Sequence, residues 1–429
     1  MAHAGALGQV AVGHDVPDAG VSRFRVVQDD SAGLFDRLLS EGCRPRLFGG
    51  FSFSPRRRVD PVWASFPPAL FHLPEVEVEH HPSAGVCSLA VRAATRGGAA
   101  QSWRRWIDAL EGAPSPDRAR PRLVAAAPGG LETVPGPKGR SHYSSAARVG
   151  IERAAWGRMV WRALNRIGDG AAEKVVLART LEVASARGVT PAELVIALWE
   201  ENHGSHVFLF EPSPGAALVG AAPETIATVA NGIVRATAVA GSAGVGADSV
   251  ETAQVARELF NSEKDRAEHD FVVRDMVARL KALGCTVQRD VEPHVLALAR
   301  IQHLETKIAA GVPSGTSLLD ILSSLHPTPA VCGIPRSAAL SIIGEGEIFD
   351  RGWYAGPVGW FDAGGKGIFV PALRSAVSSG DRWRLFAGAG ILPGSDPALE
   401  WEETELKFRP VLSAVARAGA GESTAAGTG

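Results

Sequence analysis

Strong charge of either sign is missing from this 429-residue chain, where 44 Lys plus Arg stand against 46 Asp plus Glu for a formal net charge of −2. A balance this close lacks the electrostatic footprint of a nucleic-acid binder. Long apolar runs are missing too, each being broken by charges or Gly short of the roughly 20 residues that a bilayer span requires. The first twenty residues hold no Lys or Arg and no apolar core of the kind found in signal peptides. Cysteine is scarce: Cys43, Cys87, Cys285 and Cys332 are scattered and form no CxxC pair. That speaks against a zinc site and against a disulfide framework. Together these absences point to a cytoplasmic protein with reduced thiols and a small-molecule partner, with no nucleic acid and no membrane. Lysine is also rare. Only seven occur (138, 174, 264, 281, 307, 366 and 407), so the position of each is informative.

What is present is ordinary globular material, 45% hydrophobic and 21% charged. The 48 Gly and 28 Pro are many, but fewer than a disordered chain would carry. Length alone allows two or three domains. The small-residue ends, 1–22 and 418–429, are expected to be disordered, and the Pro-, Gly- and base-rich stretch 113–140 reads as a linker. Between Arg23 and His142 short apolar runs punctuated by Gly and Pro predict strands, with one amphipathic helix near 100–110. Beyond it the pattern predicts a helix over about 144–167, a strand over 173–184 and a helix near 191–201. Strands follow over 207–210, 217–229 and 233–240, the last two joined by Asn231-Gly232, a strong hairpin signal. A long helical region, 249–283, has a break at Asn261-Ser262. Further hairpin strands are expected at 353–361, 367–377 and 382–389, and a last helix begins at Asp396-Pro397. Strands and helices in blocks, without alternation, indicate an α+β fold with largely antiparallel sheet.

Several side chains invite chemistry. Ser262-Glu263-Lys264-Asp265 has the form of a capping box, so Asp265 and Glu268 share one helix face. Glu400 and Glu403 are likewise three apart, with Lys407 one turn further. Two helices each presenting a carboxylate pair suit a hard divalent cation such as Mg²⁺, although solvated acidic faces have the same spacing. Lys174 sits inside an apolar strand pattern, where an ammonium is costly unless it faces a cleft. A desolvated Lys can serve as a general base, while an outward-facing strand Lys is the plainer alternative. Glu224, after Pro223, is either a general acid or a turn residue. Gly388-Ala389-Gly390 offers backbone N–H groups or simply a tight turn. His303 is open between structure and chemistry, His326 reads as a loop cap, and Arg374 is a carboxylate clamp if its strand faces a cleft.

In combination these segments resemble the chorismate-utilising enzymes, most closely the isochorismate synthases. The matching stretches are EKVVLAR (173–179), GAAPET (220–225), AVAGS (238–242), SEKDRAEH (262–269) and IQHL (301–304). LHPTPAVCGIP (325–335), YAGPVG (354–359), PALRSA (371–376) and AGAGILPGSDPALEWEETELK (387–407) continue the match, and LFGGFSF (47–53) fits an early strand of the family. The resemblance implies one α+β unit over 23–417, with an N-terminal half (23–142) and a catalytic half (143–417), in place of several domains. Its fold is similar to that of anthranilate synthase component I: two facing antiparallel sheets, outer helices and a central active-site cleft.

The same resemblance implies roles. Glu268 and Glu403 would bind Mg²⁺, supported by Asp265 and Glu400, and the ion would hold the ring carboxylate of chorismate. Arg374 and the amides near Gly388 and Gly390 would hold the enolpyruvyl carboxylate. Gly241, Ser242, His303, Ala330 and Tyr354 would line the substrate site, and Lys407 would orient the acidic pairs. Lys174 would activate water, and Glu224 would protonate the departing hydroxyl. Anthranilate synthases carry Gln in place of Lys174, aminodeoxychorismate synthases a Lys in place of Ala240, and salicylate synthases usually a Thr in place of Ala330. The departure is Ala243-Gly244-Val245, where relatives often carry an Arg-containing turn. The expectation is an Mg²⁺-dependent, monomeric isochorismate synthase with no obligatory amidotransferase subunit. A salicylate synthase or a catalytically silent chorismate binder is the alternative.

Overall fold

The computed structural model describes residues 2–13, 22–39, 45–55, 60–81, 85–92, 96–111, 146–184, 188–298, 301–379 and 382–420. From the N-terminus, β1 (Ala2–Val12) is followed by α1 (Arg23–Leu39), β2 (Arg46–Phe51), a 3₁₀ turn (Pro61–Trp63), β3 (Ala69–His81), β4 (Val86–Val91) and α2 (Arg96–Glu111). Next come α3 (Ala146–Gly168), β5 (Lys174–Ala184), α4 (Pro191–Glu201), β6 (His206–Ser213), β7 (Ala216–Ala222), β8 (Ala227–Ala230) and β9 (Ile233–Gly244). The chain continues through α5 (Ser249–Asn261), α6 (Glu263–Ala282), β10 (Thr286–Arg289), β11 (His294–Ala297), β12 (Ile301–Gly311), α7 (Leu318–Leu325), β13 (Gly333–Ile334) and α8 (Arg336–Gly346). It ends with β14 (Pro357–Asp362), β15 (Gly367–Pro371), β16 (Ser375–Ser379), β17 (Arg382–Ile391) and α9 (Pro397–Ala420).

Local signals place many of these boundaries. Asn231 and Gly232 both have positive φ, 53° and 72°, as the two-residue turn between β8 and β9 requires. Ser262 ends α5 and caps α6, its hydroxyl accepting from the Asp265 amide. Asp396 accepts from the amides of Ala398 and Leu399 at the start of α9. The strands form two antiparallel sheets. One has eleven strands in the order β1-β3-β2-β14-β15-β8-β9-β12-β10, with β4 beside β3 and β11 beside β12; the other has six, in the order β13-β5-β17-β16-β7-β6.

Packing is layered. Helices α1, α6 and α7 cover one face of the large sheet through Phe24, Val27, Val272, Met276 and Leu322. Helices α4 and α9 cover the outer face of the small sheet through Leu194, Leu198, Phe408 and Val411. Between the sheets lies a third apolar core, with Leu70, Val358 and Val370 from the large sheet against Leu177, Leu218, Val377 and Phe386 from the small one. This is the expected α+β arrangement of facing sheets with outer helices.

The structure also departs from the sequence reading. Residues 2–12, expected to be disordered, form β1 along β3, from Ala2↔Val78 to Val12↔Ala69. Ala and Gly carry little β-propensity, so only the open edge of the long β3 reveals this strand. Helix α1 was missed in a region read as strands, although Phe24, Val27, Ser31 and Phe35 are buried at helical spacing. Helix α9 runs to Ala420, three residues into the expected tail. The expected linker 113–140 and Cys43 lie outside the described residues; Cys87, Cys285 and Cys332 are free thiols. Among the described residues no helix is long and apolar enough to cross a membrane.

Two predicted strands are each divided between sheets. The run 217–229 breaks at Pro223, leaving β7 in the small sheet and β8 in the large one. The run 367–377 breaks at Ala372–Arg374, leaving β15 in the large sheet and β16 in the small one. Both crossings end beside the interior site, and the Arg374 carbonyl accepts from the Ala221 amide at 3.2 Å.

A buried ion pair fixes the start of β5. Arg351 donates through Nε to Glu347 Oε2 at 2.8 Å, through Nη1 to Val331 O at 2.9 Å and through Nη2 to Val176 O at 2.7 Å. Glu347 Oε1 accepts from the Ala178 amide at 2.8 Å. Breaking a buried pair leaves its partner uncompensated, so Glu347→Gln should lower unfolding stability by about 3 to 5 kcal/mol. Urea denaturation measures this, and a loss below about 1 kcal/mol, the exposed-pair range, would deny the pair its structural role.

Candidate active site

Lys174 opens β5 and is fully buried. The first five residues of that strand, Lys174 to Ala178, are all buried, so apolar density surrounds a charged group. Its Nζ lies 2.9 Å from Glu268 Oε1 on α6. Beyond this ion pair no further partner completes Nζ, and an incompletely satisfied buried donor marks a place where another group is expected. Across the ladder, Gly390 of β17 stands opposite Val176. A Cβ at Gly390 would come within 2.6 Å of Glu268 Oε1 and 3.0 Å of Lys174 Cε. Glycine is therefore the residue that lets β17 pass the ion pair.

Helices α6 and α9 bring four carboxylates to the same end of the interior. Burial works against ionisation of Glu268, but Lys174 above all, with Lys407 and Lys264, holds its pKa below the usual value. Burial raises Asp265, opposed by the Ser262 hydroxyl and reinforced by the charges of Glu268 and Glu403. Burial and then the charge of Glu403 raise Glu400. Each carboxylate is turned to a partner of its own: Asp265 to Ser262, Glu268 to Lys174, Glu400 to Lys264 at 3.2 Å, and Glu403 to Lys407. Among the described residues, no three His, Cys, Asp or Glu side chains converge as a metal centre. The donor set, four hard carboxylate oxygen ligands in one electrostatic neighbourhood, still matches the chemistry of Mg²⁺.

A β-bulge shapes the opposite wall. On β9 the register slips so that Ser242 faces His303 while Ala240 faces Leu304. Gly241 is the extra residue, with φ 75°, as a bulge of this kind requires. Its absent Cβ would sit 3.1 Å from Asp265 Cβ, so the bulge also admits α6. His303 Nε2 lies 3.2 Å from Arg374 Nη2. A guanidinium only donates, so Nε2 accepts and the ring proton is on Nδ1. That proton points to Ser242 Oγ at 2.9 Å and Gly241 O at 3.2 Å. Burial, then the charges of Arg374 and Lys407, keep His303 well below the ordinary imidazole range and therefore neutral. Arg374 itself has φ 47°, a left-handed conformation that a side chain adopts at some cost; the crossing from β15 to β16 imposes it.

Tyr354 stacks on Phe386 with ring centroids 4.9 Å apart. Burial pushes its hydroxyl up to about 12, so it stays a neutral donor. The Tyr354 hydroxyl lies 3.2 Å from the Cβ position of Gly388, whose carbonyl accepts from Lys407 Nζ at 2.9 Å. Ala330 packs half-buried against the core of the large sheet. His326 caps α7 and meets Phe53 O at 2.9 Å, a loop-holding position as the sequence suggested.

Glu224 sits just past Pro223, where the chain leaves the small sheet. It is buried, and burial raises its pKa to about 7 despite the opposing charges of Arg374, Lys174 and Lys407. Glu305 adds to the rise. Sequence reasoning missed Glu305. It is buried on the same β12 face as His303, two residues on, and pairs with His294 Nε2 at 2.7 Å. Strand alternation from His303 was the signal that could have found it. Lys264, quoted only inside a motif, is the counter-ion of Glu400.

A two-sheet α+β frame enclosing an amine, a carboxyl whose pKa is raised by burial, an acidic group and a buried guanidinium is that of an enzyme. The profile of the chorismate binding enzymes matches residues 6–416, and the chain belongs to that family. The salicylate biosynthesis isochorismate synthase of Pseudomonas aeruginosa is 33% identical over 411 residues, 92% of this chain and 80% of that protein. The MenF isochorismate synthase of Bacillus subtilis is 31% identical over 381 residues, 89% and 76% of the two chains. Among solved structures, the menaquinone-specific isochorismate synthase of Escherichia coli superposes with TM-score 0.74 at 25% identity, covering 96% of this chain and 85% of that one. Anthranilate synthase component I of Streptococcus pneumoniae shares the fold with TM-score 0.68 at 20% identity, covering 85% and 80%.

The Glu224 shift carries a sign. Its native pKa of about 7 lies above the ordinary 4.5, so folding takes up a proton in that window and Glu224 costs stability as pH rises through it. Glu224→Gln removes that cost. The stability advantage of the variant should grow by roughly 3 kcal/mol between about pH 4 and pH 8, as read by urea melts at each pH. An advantage independent of pH would contradict a burial-raised acid.

Proposed function

We propose that this protein is an isochorismate synthase, converting chorismate to isochorismate by adding water at ring C2 and releasing the C4 hydroxyl as the double bonds shift. The observation that carries this proposal is Lys174 and Glu224, an amine and a proton-bearing carboxyl within electrostatic reach of each other in a dry interior. The relatives named as isochorismate synthases support it.

Lys174, acting as the neutral amine, takes a proton from the attacking water, and Glu224 gives its proton to the departing hydroxyl. Return of the proton from Lys174 to Glu224 restores both groups, so one water enters and one leaves. Arg374, fixed by His303, receives the enolpyruvyl carboxylate together with the amides near Gly388 and Gly390. Ser242 and Tyr354 line the same space, the first oriented by His303 and the second by its stack on Phe386. Glu268 and Glu403 would hold Mg²⁺, with Asp265 and Glu400 behind them and Lys407 keeping Glu403 in place. When bound, the ion supplies charge neutralisation and an anchor for the ring carboxylate. Glu268 would thus serve both as a ligand of the ion and as the ion-pair partner of Lys174. Water as nucleophile requires no ammonia and so no amidotransferase subunit; separately, we read the protein as a cytoplasmic monomer.

Incubation with chorismate and Mg²⁺ followed by chromatography should show isochorismate without pyruvate; stoichiometric pyruvate would move the assignment to a salicylate synthase. Lys174→Ala should reduce turnover by at least about 100-fold while the circular dichroism spectrum stays native, and an active variant removes the base. EDTA should stop turnover and Mg²⁺ restore it; activity indifferent to chelation would release the four carboxylates from metal binding.

A further inference from the structure

A substrate bearing two carboxylates has to reach a site whose amine is fully buried. One groove adjoining that site carries an excess of positive charge. It encloses about 430 Å³ and is lined by Thr225, Arg235, Thr237, Arg289, Asp290 and Lys307 among others. Its chemistry belongs to none of the roles assigned above.

The groove is continuous with the site through the backbone. Thr225 follows Glu224 directly, and its amide donates to Thr237 Oγ1 at 2.9 Å while the Thr237 amide donates to Thr225 O at 3.0 Å. Thr237 pairs with Lys307 across the β9–β12 ladder. On β12, Thr306 meets His269 of α6 at 2.7 Å and Ile308 enters the core beneath that helix. Alternation therefore turns His303, Glu305 and Lys307 to the opposite face, the face on which His303 touches Arg374. Arg235 stands opposite Ala309 and shares this face.

The charges are not spoken for. Arg235, Arg289 and Lys307 are exposed. Among the described residues the side chains of Arg235 and Lys307 have no ion-pair partner, and Arg289 donates only to the Asp290 carbonyl at 3.0 Å. The Asp290 carboxylate accepts from the Lys307 backbone amide at 3.0 Å and lies 4.0 Å from His294. Glu305, further in, is held by His294. Three cations thus face one carboxylate in this groove, and grooves of one sign focus the field on an incoming ion.

We infer that Arg235, Arg289 and Lys307 form a cationic approach path that captures the dianionic substrate and guides it along the large sheet to Glu224. This inference rests on the proposed function for the identity of the ligand. Substrate association followed by stopped-flow tryptophan fluorescence tests it. In Arg235→Gln/Arg289→Gln/Lys307→Gln the chorismate association rate should fall about tenfold at about 20 mM ionic strength and differ less than about twofold in 0.5 M KCl, where the Debye length is only about 4 Å. Dissociation rate and kcat should be unchanged. Exchanging cation for cation, Arg235→Lys/Arg289→Lys/Lys307→Arg, should keep the unaltered rate, because a field needs charge and not a particular geometry. Unchanged association in the neutral variant at low salt, or a loss that persists in high salt, would overturn the approach path. Turnover by the unaltered protein is measured separately: chorismate binding without isochorismate formation defeats the proposed function and leaves the comparison of association rates intact.

Discussion

A fully buried ammonium group is the constraint on which this structure depends. Withdrawing such an ion from water carries a penalty of several kcal/mol, offset only by a well-placed opposite charge. Glu268 supplies that charge from α6, and its approach determines several neighbours. Gly390 has to lack a side chain for the pair to fit against β17. The strand bearing Lys174 is held from behind by Glu347 and Arg351, themselves an ion pair with backbone partners on Val176, Ala178 and Val331. Charge burial at one point is thus supported by charge burial at a second, and both act on the first residues of β5.

The chain meets this constraint by crossing between sheets. Glu224 and Arg374 both stand where a strand of one sheet gives way to a strand of the other. Neither lies inside a ladder, so each is free to aim at the interior. The cost is visible at Arg374, whose left-handed backbone is held by its carbonyl bond from Ala221 and by the His303 contact. Glu224 illustrates the electrostatic consequence. Three cations surround it, yet burial prevails and the proton stays to about neutral pH. Glu224 and Lys174 share this dry interior, the pKa of the first raised by its burial and the second paired with Glu268.

The acidic helices show a second balance. Asp265, Glu268, Glu400 and Glu403 repel one another, and every one of them has found a hydroxyl or an amine of its own. This arrangement neutralises the group pairwise.

Much was readable in one dimension. Periodicity and caps located α3, α4, α5, α6 and α9, because a capping serine at 262 or an aspartate at 396 acts within four residues of its own position. The Asn231-Gly232 turn declared itself for the same reason. Family motifs marked the charged residues of the interior in the sequence itself. The sequence could not show that two continuous apolar runs, 217–229 and 367–377, each serve two sheets, since burial looks alike on either side of the crossing. It could not reveal β1, whose Ala and Gly residues become a strand only against the edge of β3, nor the place of Glu305, set by β12 lying over β9. Short-range chemistry was determined by the order of residues alone. Which carboxylate neutralises Lys174, which face His303 shares with Lys307 and how dry Glu224 becomes were decided only by tertiary packing, because charge and dehydration depend on neighbours far away along the chain.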